Sequence, residues 1–156
     1  LGPLVNPSSP QNLMLGTFNL EIARLYNYIL QDEKSQYGII HGLDGYDEIS
    51  LTSGFKLFTK SGEQLINPED NGLERISQSE IYGGNSVKDA AKIFKNIIEG
   101  KGTKAQNSVV LANAAYALKI IDKNLTFEEA YNTAEGSLLG GKASQCLHKL
   151  ITNCSS

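Results

Sequence analysis

The sequence predicts an α/β fold: a central sheet with helices around it, and a sheet that stays incomplete without strands from further upstream. Three observations carry this. Tyr37-Gly38-Ile39-Ile40 is a short apolar run of the kind a buried strand shows. The stretch from Glu48 to Ile66 reads as a block of short strands, and everything from Ser86 onward has helical spacing. One helix, a strand block and three or four helices supply too few strands to enclose a buried one, which needs βαβ units on both sides.

In chain order, Leu1 to Gln11 is rich in Pro and Ser and reads as a loop. Asn19 can cap a helix to about Gln31, with Ile22, Leu25, Tyr26, Ile29 and Leu30 on its apolar face. After Tyr37–Ile40, Gly42 and Gly45 break the chain. Strands are then expected at Glu48–Thr52, Phe55–Thr59 and Glu63–Ile66, with Ser61-Gly62 as a turn. In the second of these, Phe55, Leu57 and Thr59 alternate with Lys56, Phe58 and Lys60, as in a partly exposed strand. Pro68 to Gly84 is irregular, and Gly83-Gly84 marks a backbone that bends sharply or is closely approached. Ser86 opens a helix with Val87, Ala90, Ala91, Phe94, Ile97 and Ile98 on one face, stopped by Gly100 and Gly102. Gln106–Ile121 is an apolar helix. Thr126 with Glu129 makes a capping box at the next, which sets aside the sequon reading of Asn124-Leu125-Thr126. Asn153-Cys154-Ser155 also fits a sequon. Gly136, Gly140 and Gly141 divide the last segment, with a final helix over about Ala143–Thr152.

Composition excludes several classes. At 156 residues the chain is one domain or part of a larger one, and 40% hydrophobic with 20% charged residues suffices for a core. A net charge of -3 and a pI near 5.4, without a basic run, argue against a nucleic-acid partner. The apolar stretch Val109–Ile121 is short for a membrane span and carries Asn113 and Lys119, so no membrane partner is expected. Its first residues lack the basic and apolar regions of a signal peptide, so none is expected among them. Cys146 and Cys154 stand on one predicted helix, roughly 12 Å apart, too far for a disulfide. Reduced thiols and a cytoplasmic location follow. The chain opens on Leu1 and runs straight into a Gly/Pro turn, as a fragment would.

The chemistry concentrates in Asp44-Gly45-Tyr46-Asp47-Glu48, just past the C-terminal end of a predicted strand, the edge where open α/β sheets place ligands. On a glycine-loosened loop two adjacent carboxylates can turn toward one ion. Hard oxygen ligands without His or Cys suit Mg²⁺. From the residues alone, a solvated turn and a metal site both fit. His41 and His148 read as structural and surface, and Asn113 as a helix-packing hydrogen bond.

Leu1-Gly2-Pro3-Leu4-Val5-Asn6-Pro7, followed by His41-Gly42-Leu43-Asp44-Gly45-Tyr46-Asp47-Glu48, resembles the signature pair of the anthranilate phosphoribosyltransferase family. Gly83-Gly84, Asn113-Ala114-Ala115 and Gly141-Lys142-Ala143 extend the resemblance along essentially the whole chain. The resemblance implies that residues 1–156 are the C-terminal portion of the family's α/β domain. The enzyme would move the phosphoribosyl group of phosphoribosyl pyrophosphate (PRPP) to anthranilate in tryptophan biosynthesis. It implies Mg²⁺ on Asp47 and Glu48, with Glu48 shared between two ions, and it places Asn6 and Pro7 near the anthranilate region as loop-shaping residues. The glycine-rich pyrophosphate loop, the anthranilate-holding arginine and the helical domain that pairs the subunits of a homodimer would lie upstream of Leu1, so the segment alone is expected to be inactive. Tyr46 and Asn85 depart from the family pattern, which has an aliphatic residue and an Asp there. Two rivals share the fold: a non-catalytic nucleic-acid-binding homologue, disfavoured by the acidic pI and the intact Asp47-Glu48 pair, and a pyrimidine nucleoside phosphorylase, disfavoured by the two signatures together.

Overall fold

A computed structural model describes residues 2–154, so Leu1 of the first signature and Ser155 of the second sequon lie outside the described residues. The fold is mixed α/β, with one sheet of four strands in chain order. Strand β1 (Asn12–Gly16) runs parallel to β2 (Gln36–Gly42), and helix α1 (Leu20–Leu30) makes the crossover. Strand β3 (Phe55–Thr59) pairs antiparallel with β2, and β4 (Gly62–Ile66) antiparallel with β3. Helices α2 (Val87–Ile98), α3 (Lys104–Ile121), α4 (Phe127–Leu139) and α5 (Lys142–Cys154) follow.

Strands β2 and β3 are buried on both faces because their side chains alternate between two cores, while β4 is largely exposed. Tyr37, Ile39 and Phe58 pack with Leu15 and with Ala23 and Leu30 of α1. Ile40, Phe55 and Leu57 point the other way, toward Ala112 and Tyr116 of α3, and this second core also holds Ile49 and Leu51. Each buried Leu, Ile or Phe among them stabilises the fold by about 1.5–3 kcal/mol. Tyr116 stands edge-on to Phe55, with ring centroids 5.3 Å apart. Its hydroxyl accepts from Asn71 Nδ2 at 3.0 Å, and burial pushes its phenol above the usual tyrosine range. A third cluster ties α3 to α4 and α5 through Leu111, Ala134 and Leu138.

Several expectations change against this architecture. Strand β1 falls where no strand was expected, and it gives β2 the parallel neighbour that the sequence reading had placed upstream. The strand expected at Glu48–Thr52 is absent, because side-chain hydrogen bonds take that backbone out of any ladder. Phe58 is buried, since α1 covers the face of β3 that was expected to be open. The hairpin turn is Lys60-Ser61, with Gly62 already paired to Thr59.

Helix α1 starts at Asn19 as expected, with Asn19 Oδ1 accepting from Ile22 N–H at 2.9 Å. Its buried side, however, is Ala23 and Leu30, while Leu25 and Ile29 face outward. Helix α2 is capped by Ser86 as expected but buries no side chain fully; of its expected inner face Ile97 and Ile98 are half-buried, Val87 and Phe94 are exposed, and Ile93 joins Ile97 on the inward side. Pro68–Asn71 and Gln78–Ile81 form short 3₁₀ turns within the irregular stretch. Helix α3 starts two residues earlier than expected, capped by a Thr103/Gln106 box. The Thr126/Glu129 box caps α4 as expected, and the break before α5 falls at Gly140-Gly141 while Gly136 stays helical. Cys146 and Cys154 are free and exposed on α5. Among the described residues no helix is long and apolar enough to cross a membrane.

Candidate functional site

The acid loop leaves the C-terminal end of β2 and is irregular throughout, yet hydrogen bonds hold it at close intervals. Gly42 N–H donates to Tyr46 O at 2.8 Å, and Gly45 N–H to Gly42 O at 2.9 Å, closing a tight turn. Gly45 sits at φ +94°, a backbone setting that side chains strain against. Leu43 N–H donates to Gly54 O at 2.9 Å, tying the turn to the start of β3. Asp44 is committed inside the loop: its carboxylate accepts from Thr52 Oγ1 and, at 3.5 Å, from Ser50 Oγ. Leu51, buried, adopts φ +62°, a setting rare for a bulky side chain and tolerated only where the surroundings dictate it.

Beneath the loop, the end of β1 is shaped to receive it. A Cβ at Gly16 would lie 1.8 Å from the carbonyl oxygen of Asp47, so only glycine lets the loop pass. Thr17 N–H donates to Ile40 O at 2.9 Å, and His41 Nδ1 lies 2.9 Å from Thr17 O. His41 is therefore buried and engaged in joining β1 to β2, which fits its structural reading. His148 is exposed on α5.

Asp47 and Glu48 themselves are exposed, and neither enters an ion pair among the described residues. Glu48 borders a shallow cleft of about 180 Å³, with Tyr46 and Ser50 of the loop, Ile93 and Ile97 of α2, and Val109 of α3. A wider cleft of about 320 Å³ lies at the opposite end of β2, bordered by Lys60, Lys119 and Lys123. No carboxylate lines it, so it offers nothing to a divalent cation, and chemistry places the candidate site at the acid loop. No group of three or more His, Cys, Asp or Glu is arranged to hold a metal among the described residues. The adjacent pair thus offers carboxylate oxygens alone, a donor set that suits Mg²⁺ completed by water and substrate phosphates rather than a closed protein cage.

Asn113 is the residue whose part the sequence reading missed. It was expected to bond between helices, but its amide reaches from α3 to the loop. Ile49 N–H donates to Asn113 Oδ1 at 3.1 Å, while Asn113 Nδ2 donates to Ile49 O at 2.8 Å and to Val109 O at 2.9 Å. A lone Asn inside an apolar helix was the available signal, though the partner, 64 positions away, was not legible. Asn6 shapes its loop as expected, with its Oδ1 accepting from Ser8 N–H at 3.0 Å. Asn85 Oδ1 accepts from the Tyr82 hydroxyl at 2.6 Å.

The chain is 50% identical over 150 residues to anthranilate phosphoribosyltransferase of Flavobacterium johnsoniae, covering 96% of this chain and 45% of that protein. It is 48% identical over 151 residues to the same enzyme of Cytophaga hutchinsonii, covering 97% and 46%. It thus spans a little under half the length of these relatives. Among solved structures, anthranilate phosphoribosyltransferase of Thermus thermophilus superposes with a TM-score of 0.87 at 23% identity, over 99% of this chain and 46% of that one. The Saccharomyces cerevisiae enzyme in complex with PRPP and Mg gives 0.83 at 21% identity, over 93% and 42%. Both share the fold. The model of the glycosyl transferase family α/β domain matches residues 1–144, and the chain belongs to that family.

Proposed function

We propose that this chain is the C-terminal portion of the α/β domain of an anthranilate phosphoribosyltransferase, with the helical domain and the glycine-rich phosphate loop in the remaining half of the protein. The reaction would transfer the phosphoribosyl group of PRPP to the amine of anthranilate and release pyrophosphate, in tryptophan biosynthesis. The observation that carries this reading is the exposed, unpaired Asp47-Glu48 pair on a tightly held loop at the end of β2. Its support is the identity of about half to relatives of that name, and the fold shared with a neighbour solved with PRPP and Mg.

In this reading Asp47 and Glu48 would hold Mg²⁺, with Glu48 shared between two ions as the family resemblance implies. Bound there, Mg²⁺ would neutralise the charge that builds on departing pyrophosphate. The chain's own contribution is electrostatic and geometric. Two carboxylates carried on a backbone held at Tyr46 and Ile49 would set where the diphosphate lies, and so aim the ribose C1. Charge that is positioned beforehand needs no rearrangement as the bond to pyrophosphate lengthens. Neither a nucleophilic side chain nor a strong base is required of this half, since the amine of anthranilate is itself the nucleophile.

The test is metal-dependent PRPP binding by the full-length protein, wild type against Asp47→Asn/Glu48→Gln. The double variant is expected to lose most of the Mg²⁺ dependence and its transfer activity with it. Unchanged metal-dependent binding would remove the assigned role.

A further inference from the structure

We infer that Asn113 is a positioning residue that aims the acid pair; this rests on the reading of Asp47 and Glu48 as the cation's ligands. On the near side, the carbonyl of Tyr46 is fixed by Gly42 N–H at 2.8 Å. On the far side, both backbone polar groups of Ile49 are fixed by the Asn113 amide, at 3.1 and 2.8 Å. The only residues between these two anchors are Asp47 and Glu48. The loop is therefore hydrogen-bonded on either side of the acid pair, and between those bonds the backbone of Asp47 packs against Gly16.

Asn113 is suited to the task in a way a solvent-facing amide is not. An amide side chain has two N–H donors and one carbonyl acceptor. Here one donor goes to Ile49 O, the acceptor takes Ile49 N–H, and the Nδ2 bond to Val109 O at 2.9 Å ties the amide to its own helix. The rotamer is set by α3, and α3 is set by Leu111, Ala112, Ala115 and Tyr116, all buried. Ile49 packs in the same cluster as Ala112 and Tyr116, so the clamp and the core hold the same point. Two neighbouring carboxylates repel, and a loop free to move would relax them apart. Holding the chain at Ile49 removes much of the conformational freedom through which that relaxation would occur.

The experiment measures the Mn²⁺ concentration that half-saturates PRPP binding, by titration calorimetry on the full-length protein. Wild type, Asn113→Ala and Asp47→Asn/Glu48→Gln are compared. The Ala variant is expected to need about ten- to a hundredfold more Mn²⁺, the usual cost of losing a group that orients metal ligands. Its KM for anthranilate is expected to stay near wild type while kcat falls. If Asn113→Ala does not fold, Asn113→Ser carries the same test, since its hydroxyl can still bond Val109 O within the helix but is too short to hold both backbone groups of Ile49. A folded variant of lowered melting temperature but wild-type Mn²⁺ requirement would overturn the inference and leave the acid-pair reading intact. A wild-type requirement in the double carboxylate variant would overturn both.

Discussion

Two neighbouring stretches border the same cleft by opposite means. The acid loop, residues 42–52, has no helix or strand of its own beyond the last residue of β2, yet Ile49, Ser50 and Leu51 within it are buried and its polar groups are bonded to β3, to α3 and to one another. Helix α2 is regular from Val87 to Ile98, with Ser86 capping Asp89 N–H at 3.1 Å, and buries no side chain. Regular secondary structure is satisfied from within and needs little from its surroundings. An irregular backbone has no such internal solution, so every turn of it must be specified from elsewhere. Position is fixed in the loop and only shape in the helix.

The sharpest way to break that contrast is to empty the loop's anchor. Ile49→Ala is expected to cost about 2–5 kcal/mol in urea unfolding of the full-length protein, the range for a fully buried large-to-small change. Val87→Ser on α2, at 88% exposure, is expected to fall within about 0.5 kcal/mol of wild type. Equal costs would erase the distinction. Next in size is Gly16→Ala, whose new methyl meets the Asp47 carbonyl. Overpacking of this kind costs about 1–3 kcal/mol, and here the displaced atoms belong to the acid loop, so metal-dependent PRPP binding should weaken in parallel. Gly136→Ala is the smallest effect and has the opposite sign. Nothing lies within 4 Å of the new Cβ in mid-helix, so a gain of about 0.5–1 kcal/mol is expected with binding unchanged.

The same contrast explains what the sequence made legible. Helix starts at Asn19, Ser86 and Thr126 could be read because a cap is a bond between residues three apart. Strand β2 was visible as an apolar run, and the β3–β4 hairpin as two runs around a turn. Strand β1 was not, since Leu13, Met14 and Leu15 lack β-branching and their partner in the ladder comes only after a helix. Glu48–Thr52 looked like a strand on composition, and its true form depends on Asp44, Thr52 and Asn113 acting together. On α2 the inward side was read correctly at Ile97 and Ile98 and wrongly at Val87 and Phe94, because periodicity reveals a helix but not what each turn of it faces. The acid pair was visible as residues, whereas its reading as a metal site came from resemblance, because two carboxylates in a loop do not announce their partner.

The account turns on where a divalent cation sits when the full-length protein holds PRPP. Anomalous diffraction from crystals of that protein soaked with Mn²⁺ and PRPP measures this directly. The predicted result is a peak about 2 Å from carboxylate oxygens of Asp47 and Glu48, the separation of direct coordination, with the Asn113–Ile49 bonds intact. A peak held wholly by other residues, with both carboxylates turned to solvent, would contradict it.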